Sequence, residues 1–255
     1  MAIDILTVPC RADNYAFLIH NSDTGQTALV DAPETAPLMA ALETKGWTLD
    51  DLLITHHHHD HVEAVEDLRA AFGCRVIGAA ADAHRLPDLD LAVADGDSFE
   101  TCGLTTDVFD VSGHTVGHVA FYMAATEAVF TADSLMALGC GRLFEGTPAQ
   151  MWESLLRIRA LPQTTTVYSG HEYTAANGRF AITIEPDNPD LIARIADIDA
   201  ARDANQPTVP SSLALEIATN PFLRADLHSV QAGLDMAGDG AAEVFGEIRR
   251  RKDNF

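Results

Sequence analysis

Leu52-Leu53-Ile54-Thr55-His56-His57-His58-His59-Asp60-His61 is the stretch on which the rest of the chain turns. An apolar run stops, and five histidines and one aspartate follow within six positions. Leu52 to Ile54 is short, apolar and preceded by Asp50-Asp51, the pattern of a buried strand's end. Beyond the run, Val62, Val65, Leu68 and Ala71-Phe72 recur at spacings of three and four, the period of a helix. The histidines therefore occupy a strand-to-helix turn, where open α/β sheets place their ligands. In extended chain, side chains two apart share a face. His56 and His58 then look one way, and His57 and His59 the other. His61 sits beside Asp60 near the helix start, where a turn can splay the pair toward a second ion. An expression tag is the competing explanation, but tags sit at chain ends and this run lies between Ile54 and Val62. Packing cannot satisfy so many imidazoles in a short loop. Neutral imidazole and carboxylate are ligands for borderline and hard divalent metals.

The 255 residues suffice for one large domain, or a domain with an appendage. Apolar residues make up 47%, and no run approaches the roughly 18 residues of a membrane span. The start, Met1-Ala2-Ile3-Asp4-Ile5, has an early acid and no basic segment, so no signal peptide is expected. Cys10, Cys74, Cys102 and Cys140 are scattered, which predicts free thiols and a reducing, cytoplasmic setting. The formal charge of −22 disfavours nucleic acid and anionic membrane as partners. It suits a soluble, monomer-tolerant cytosolic protein. Against that charge the run Arg249-Arg250-Arg251-Lys252 stands out.

In chain order, strands are expected at 3–8, 15–20 and 27–30, then a helix over 35–45. After the histidine turn come a helix over 62–72, a strand at 75–77, and a hairpin of 99–102 with 104–111 around Gly103. Strands 119–123 and 128–131 follow. Pro148 opens a helix through Met151 and Ile158, and 165–168 is a last strand. Beyond it, Leu191, Ile195, Ile198 and Arg202 keep helical spacing, and 241–251 reads as a terminal helix. The fold class is α/β, with a catalytic body over 1–171 and an all-helical appendage over 172–255.

Three further polar residues each follow an apolar run: His114 after Val111, Asp133 after Phe130, and His171 after Tyr168. With His56, His58, Asp60 and His61 they make seven candidate ligands, too many for one tetrahedral ion. They divide between two ions if a carboxylate bridges, and Asp133 can offer both its oxygens. Paired ions roughly 3.5–4 Å apart clamp and acidify a hydroxide, which points to metal-assisted hydrolysis. His118 opens a strand and reads as supporting or structural, whereas His20 and His84 have no partner pattern and read as structural or surface residues.

The run Thr55 to His61 resembles the T-H-x-H-x-D-H signature of the metallo-β-lactamase superfamily. Gly113-His114-Thr115, Thr131-Ala132-Asp133-Ser134 and Gly170-His171-Glu172-Tyr173-Thr174 follow in the order that resemblance implies. Narrower motifs are similar to those of the glyoxalase II (hydroxyacylglutathione hydrolase) family. They are Gly139-Cys140-Gly141-Arg142-Leu143-Phe144-Glu145-Gly146, Asn220-Pro221-Phe222-Leu223-Arg224 and the ending Arg249 to Phe255. The resemblance implies an αββα sandwich followed by a helical glutathione-binding domain. It implies two divalent ions, zinc foremost with iron or manganese as alternatives, and hydrolysis of S-D-lactoylglutathione to D-lactate and glutathione. It places His56, His58 and His114 on one ion, Asp60, His61 and His171 on the other, and Asp133 between them. Asp60 would also orient the attacking hydroxide. Arg142, Phe144, His171, Tyr173, Asn177, Arg249 and Lys252 would meet the substrate. Phe144 departs from the family's frequent tyrosine and removes one hydroxyl from that set. Two rival readings stand beside this one: a mononuclear-iron dioxygenase acting on glutathione persulfide, and a non-catalytic protein that binds metal or glutathione conjugates.

Overall fold

Short apolar segments punctuated by tight turns build the first part of the chain. Strands β1 (Ile3–Cys10), β2 (Asn14–Asn21) and β3 (Gln26–Val30) pair antiparallel in sequence. Helix α1 (Thr35–Lys45) ends at Gly46, whose φ of 68° is the left-handed conformation that glycine supplies at a helix end. The chain then re-enters the sheet as β4 (Asp51–Leu53), parallel to β3, the crossover that an intervening helix permits. Two helical pieces follow, α2 (His59–Val62) and α3 (Val65–Phe72), then β5 (Arg75–Ala79) and β6 (Leu91–Val93), both parallel additions. The order of this sheet is β1-β2-β3-β4-β5-β6. Next come β7 (Ser98–Thr101), β8 (Leu104–Asp110), β9 (Val119–Met123) and β10 (Ala128–Ala132), an antiparallel meander. The structure is a computed structural model and describes residues 2–255. Met1, where the expected signal-free start begins, lies outside the described residues.

By its internal contacts the chain divides into two units. The first comprises Met1–Asp110 and Val116–Thr131, and the second Val111–Thr115 and Ala132–Phe255. In the first, the sheet faces its meander across Phe17 and Phe130, whose rings lie 5.8 Å apart. The other face of the sheet packs Leu18, Leu29, Leu52 and Val76 against Leu38 and Leu42 of α1 and Val65 and Leu68 of α3, all buried. Burying side chains of this size is worth roughly 1.5–3 kcal/mol each. That makes β3, β4 and β5 a rigid base for whatever their ends carry.

The second unit holds the small hairpin β11 (Leu135–Met136) with β12 (Gly139–Cys140), then helix α4 (Pro148–Arg159). Thr147 and Gln150 form a reciprocal capping box at the start of α4, with Pro148 in its first turn. Strand β13 (Thr166–Ser169) leads to α5 (Thr174–Ile184) and α6 (Pro189–Asp203). Strand β14 (Ser211–Ser212) pairs with β13 and runs into α7 (Leu213–Thr219), followed by α8 (His228–Gly233) and α9 (Ala241–Asp253). Among the described residues no helix is long and apolar enough to cross a membrane.

Two departures from the sequence expectation matter for the site. The helix expected over 62–72 is broken, and its first piece starts at His59 rather than Val62. Asp60 and His61 therefore stand on a helical turn, while His56 and His58 precede it in extended chain. The hairpin β11–β12 and the three-residue β6 were not expected, because two or three residues carry no readable period.

Candidate metal centre

Four candidate ligands belong to the first unit, and backbone bonds fix their loop to the end of β3. The Asp31 N–H donates to the Leu53 carbonyl at 2.9 Å, Ala32 N–H to His61 O at 2.8 Å, and Ala64 N–H to Ala32 O at 2.9 Å. Asp31 itself is buried and holds a φ of 58°, a conformation that aspartate tolerates better than most residues. Its Oδ1 accepts the Thr55 N–H at 2.9 Å. Its Oδ2 accepts both the Thr55 hydroxyl at 2.9 Å and His61 Nδ1 at 2.7 Å.

These bonds set the tautomers. An ionised carboxylate only accepts, so His61 carries its proton on Nδ1 and its lone pair on Nε2. The Thr55 hydroxyl spends its proton on Asp31, so its oxygen accepts from His56 Nδ1, 3.0 Å away. His56 Nε2 then carries a lone pair too, and it lies 3.2 Å from His58 Nδ1. The His56 ring tilts against His61 with centroids 4.2 Å apart and stacks on His118 at 4.5 Å. His118 bonds the Val119 carbonyl through Nδ1 at 3.2 Å. Asp60 is held by Asn14, whose Nδ2 donates to Asp60 O at 3.1 Å and to Oδ2 at 3.0 Å. That oxygen stands 3.8 Å from His61 Nε2. One loop thus presents two donor pairs, His56 with His58 and Asp60 with His61. The intervening residues point elsewhere: His57 Nδ1 meets the buried Asp82 at 3.0 Å, and His59 lies at the surface beside Glu63 at 3.2 Å.

The second unit brings the other three together. His114, Asp133 and His171 are all buried. Asp133 Oδ2 faces His114 Nε2 at 3.4 Å, and its Oδ1 faces His171 Nε2 at 3.3 Å. His114 Nδ1 donates to the Arg142 carbonyl at 2.8 Å, which leaves a lone pair on Nε2. A lone pair facing a carboxylate oxygen is repulsive unless a cation lies with them. On the His114 side the donor chemistry therefore fits a divalent ion, and the His171 side offers the same pair of ligand types, an imidazole nitrogen and a carboxylate oxygen. The backbone after the hairpin must pass closely: a Cβ on Gly141 would stand 2.1 Å from Asp133 O and 2.8 Å from His114 Nδ1. Only glycine fits there.

The residues expected to meet substrate also fall in this unit. Tyr173 stacks on His171 with centroids 4.7 Å apart and planes within 3°. Phe144 is 62% exposed, with its ring 5.3 Å from that of His114. Arg142 is largely exposed and lies 3.6 Å from Asp253. Lys252 Nζ reaches the Ala176 carbonyl at 3.2 Å and sits over the rings of Phe180 and Phe255. Burial, with Arg249, Arg179 and Arg142 nearby, pulls its pKa down to about 8. Arg249 is buried, donates to Cys140 O at 2.9 Å and chelates Asp253. Asn177 is buried and donates to Ala137 O at 3.0 Å. Arg250 and Arg251 face outward and pair with Glu247, so the basic run divides between two sides of α9. Cys140 is no rival nucleophile: burial pushes its thiol up to about 11 despite Arg249 beside it.

Two residues of this centre escaped the sequence reading, Asp31 and Asn14. Asp31 follows β3 as Asp133 follows β10, so its strand-end position was the available signal. Asn14 left none, because its role depends on a tertiary bond to Asp60.

Comparisons with known proteins bear on this geometry. The sequence model described as "Metallo-beta-lactamase superfamily" matches residues 12–171, and that described as "Hydroxyacylglutathione hydrolase C-terminus" matches 172–255. A hydroxyacylglutathione hydrolase of Jannaschia sp. (strain CCS1) is 63% identical over 251 residues, covering 98% of both chains. Its counterpart in Roseobacter denitrificans is 61% identical over 255 residues, covering 100% of both. Among solved structures, the BLEG-1 B3 metallo-β-lactamase is similar in fold, with a TM-score of 0.67 at 21% identity over 86% of this chain and 99% of its own.

Proposed function

The chain belongs to the glyoxalase II (hydroxyacylglutathione hydrolase) family of the metallo-β-lactamase superfamily, and from that premise we propose that it hydrolyses S-D-lactoylglutathione to D-lactate and glutathione with two divalent ions, zinc foremost. The observation that carries this reading is the Asp133 carboxylate, which offers one oxygen toward His114 and the other toward His171. In the proposal His56, His58 and His114 serve one ion, Asp60, His61 and His171 the other, and Asp133 both. The first 171 residues supply the metal chemistry, and residues 172–255 supply most of the glutathione contacts. The chain acts as a monomer in a reducing cytoplasm, a setting consistent with its four buried, free thiols.

When bound, such a pair of ions supplies an acidified water and Lewis-acid polarisation of the thioester carbonyl. Everything else is the work of the chain. Asp31 and Thr55 keep the ligating imidazole nitrogens deprotonated, and Asn14 fixes the Asp60 carboxylate, which would orient the attacking oxygen. A C–O bond to the carbonyl carbon forms and the C–S bond breaks; of the water's two protons, one goes to solvent and the other to the departing thiolate, leaving a carboxylate and the glutathione thiol. A thiolate leaves readily, so no strong general acid is required of the protein. Arg142, Tyr173 and Lys252 hold the anionic glutathione portion through charge-assisted hydrogen bonds.

The direct test combines elemental analysis of the purified protein with loss of thioester absorbance from S-D-lactoylglutathione. Two ions per chain and robust turnover are expected. A fully loaded protein that leaves the thioester intact would overturn the reading.

Two further outcomes follow from the substrate face. Phe144→Tyr adds the hydroxyl that the family's frequent tyrosine would offer to the glycine end of glutathione, and one hydrogen bond is worth roughly 0.5–1.5 kcal/mol. KM is expected to fall about twofold to tenfold with kcat unchanged, as steady-state kinetics will show. Lys252 gives a pH dependence. Its folded pKa of about 8 lies below the ordinary lysine value, so the ammonium is present below that pH and lost above it. KM for the anionic substrate should therefore rise as pH passes through about 8, and Lys252→Arg should abolish that rise.

A further inference from the structure

The hairpin β11–β12 is a two-stranded sheet by itself, with only two residues in each strand. Such a hairpin is at best marginally stable alone. Its turn is also strained, because Leu138 holds a φ of 56°, a left-handed conformation that a leucine rarely adopts. Yet its two ends carry the residues on which the centre depends. Asp133 lies just before it, and Gly141 with Arg142 just after, where Arg142 O accepts from His114 Nδ1.

Outside the hairpin, four side chains from the C-terminal helices and the residues flanking them take hold of its backbone. Asn177 of α5 donates to Ala137 O at 3.0 Å. Asn220, just after α7, donates through one amide nitrogen to Met136 O at 3.1 Å and Gly139 O at 3.0 Å. Arg249 of α9 donates to Cys140 O at 2.9 Å. Glu216 of α7 accepts the Leu138 N–H at 2.9 Å, which holds the strained residue in place. Glu216 is in turn fixed by Arg194, Ser211 and Asn220. Every residue from Met136 to Cys140 thus has a backbone group bonded to one of these four. Gly139 allows the close approach: a Cβ there would meet Asn177 Nδ2 at 2.5 Å.

We infer that Asn177, Glu216, Asn220 and Arg249 act together as a mould for this hairpin, positioning Asp133 and the Gly141-Arg142 backbone for metal binding. The C-terminal helices then do more than receive glutathione. They hold the backbone between Asp133 and Arg142, and Asn177 and Arg249 work through backbone carbonyls. This inference rests on the two-ion reading for its affinity arm and on the hydrolase reading for its kinetic arm, while the exchange arm is independent of both.

The test uses Asn177→Leu, which removes one donor and keeps the side chain's bulk, and Asn220→Ala, which removes two bonds to the hairpin together with those to Glu216 and the Phe222 N–H. Three quantities are measured beside the parent: amide exchange at residues 136–141, zinc affinity of the metal-free protein by competition with a chromophoric chelator, and kcat with KM. With far-UV circular dichroism unchanged, exchange should quicken at the hairpin and the weaker zinc site should lose about tenfold in affinity. A displacement of order 1 Å can cost up to about a hundredfold in rate, so kcat should fall by about tenfold or more. The double variant should lose less than the product of the two single losses, because both grip one hairpin. Parental zinc affinity and kcat in a variant whose hairpin exchanges faster would overturn the inference, and so would unchanged exchange. Should Asn220→Ala not fold, Asn177→Leu carries the test alone. A zinc-loaded parent without thioesterase activity would count against the hydrolase reading, while the exchange and affinity results would still decide the mould.

Discussion

Asp133→Asn is expected to bind at most one ion per chain and to retain no more than about a thousandth of the parental turnover. The substitution keeps the shape of the side chain and replaces one ligating oxygen with an amide nitrogen. An amide nitrogen has no lone pair to give, so the ion on that side loses a ligand and its partner loses the bridging charge. Lewis-acid stabilisation of the developing negative charge is worth several kcal/mol, and each 1.36 kcal/mol is a factor of ten in rate. A loss of about 4 kcal/mol therefore gives about a thousandfold. Metal-free protein should respond in the opposite sense. In the parent, Asp133 Oδ2 faces the Nε2 of a His114 whose Nδ1 proton is engaged by Arg142 O. Exchanging that oxygen for an N–H donor converts a repulsion into a hydrogen bond. The apo variant should melt at or above the temperature of the apo parent, while the zinc-supplemented variant melts below its parent. Elemental analysis, thioester turnover and the two pairs of melting curves check all three points. Two ions bound with full activity would remove Asp133 from its bridging role.

The seven residues proposed as ligands stand out in sequence because each declares itself locally. His56 to His61 carry a parity that survives folding: the alternation sends His57 to Asp82 while His56 and His58 stay paired. His114, Asp133 and His171 each end an apolar run, and a strand's end is a place that sequence can mark. What sequence cannot mark is a hydrogen bond between distant segments. Asp31 reads as a turn residue before Pro33 until Thr55 and His61 are seen against it. Glu216 reads as one more acid in a chain rich in acids, yet it is wholly buried and holds Leu138. The basic run at the C-terminus was visible as composition, but its division was not. The period of α9 sends Arg249 inward to Cys140 O and leaves Arg250 and Arg251 on Glu247. The same limit explains the broken helix after the histidines. Its apolar period is continuous, and the break comes where His61 O and Ala64 N–H bond across to Ala32.

Asp31→Asn should lower metal affinity by about ten- to a hundredfold without touching a ligand, the usual cost of losing a partner that orients a metal-binding histidine. Asp31 accepts three hydrogen bonds, two of them on Oδ2. An asparagine can place its amide nitrogen at only one of the two oxygen positions, and either choice breaks the pattern. With nitrogen at the Oδ2 position, the amide donates to His61 Nδ1, and the imidazole must move its proton to Nε2. The nitrogen that should bind metal is then blocked. The Thr55 hydroxyl loses its acceptor as well, turns its proton toward His56 Nδ1, and drives His56 to the same wrong tautomer. With nitrogen at the Oδ1 position, two donors collide, the amide and the Thr55 N–H. A buried polar group left unsatisfied costs about 1–3 kcal/mol, so a lower melting temperature is expected in either case. The two outcomes separate in solution. Under the tautomer mechanism, excess zinc restores kcat because metal occupancy is the quantity lost, and KM stays at the parental value. Thr55→Val added to Asp31→Asn should cost little more, since both act through one chain of bonds to His56. The readouts are zinc titration of the metal-free protein and kcat as a function of added zinc. Parental zinc affinity in a folded Asp31→Asn would show that the imidazoles set their own tautomers and that the buried aspartate serves only the fold.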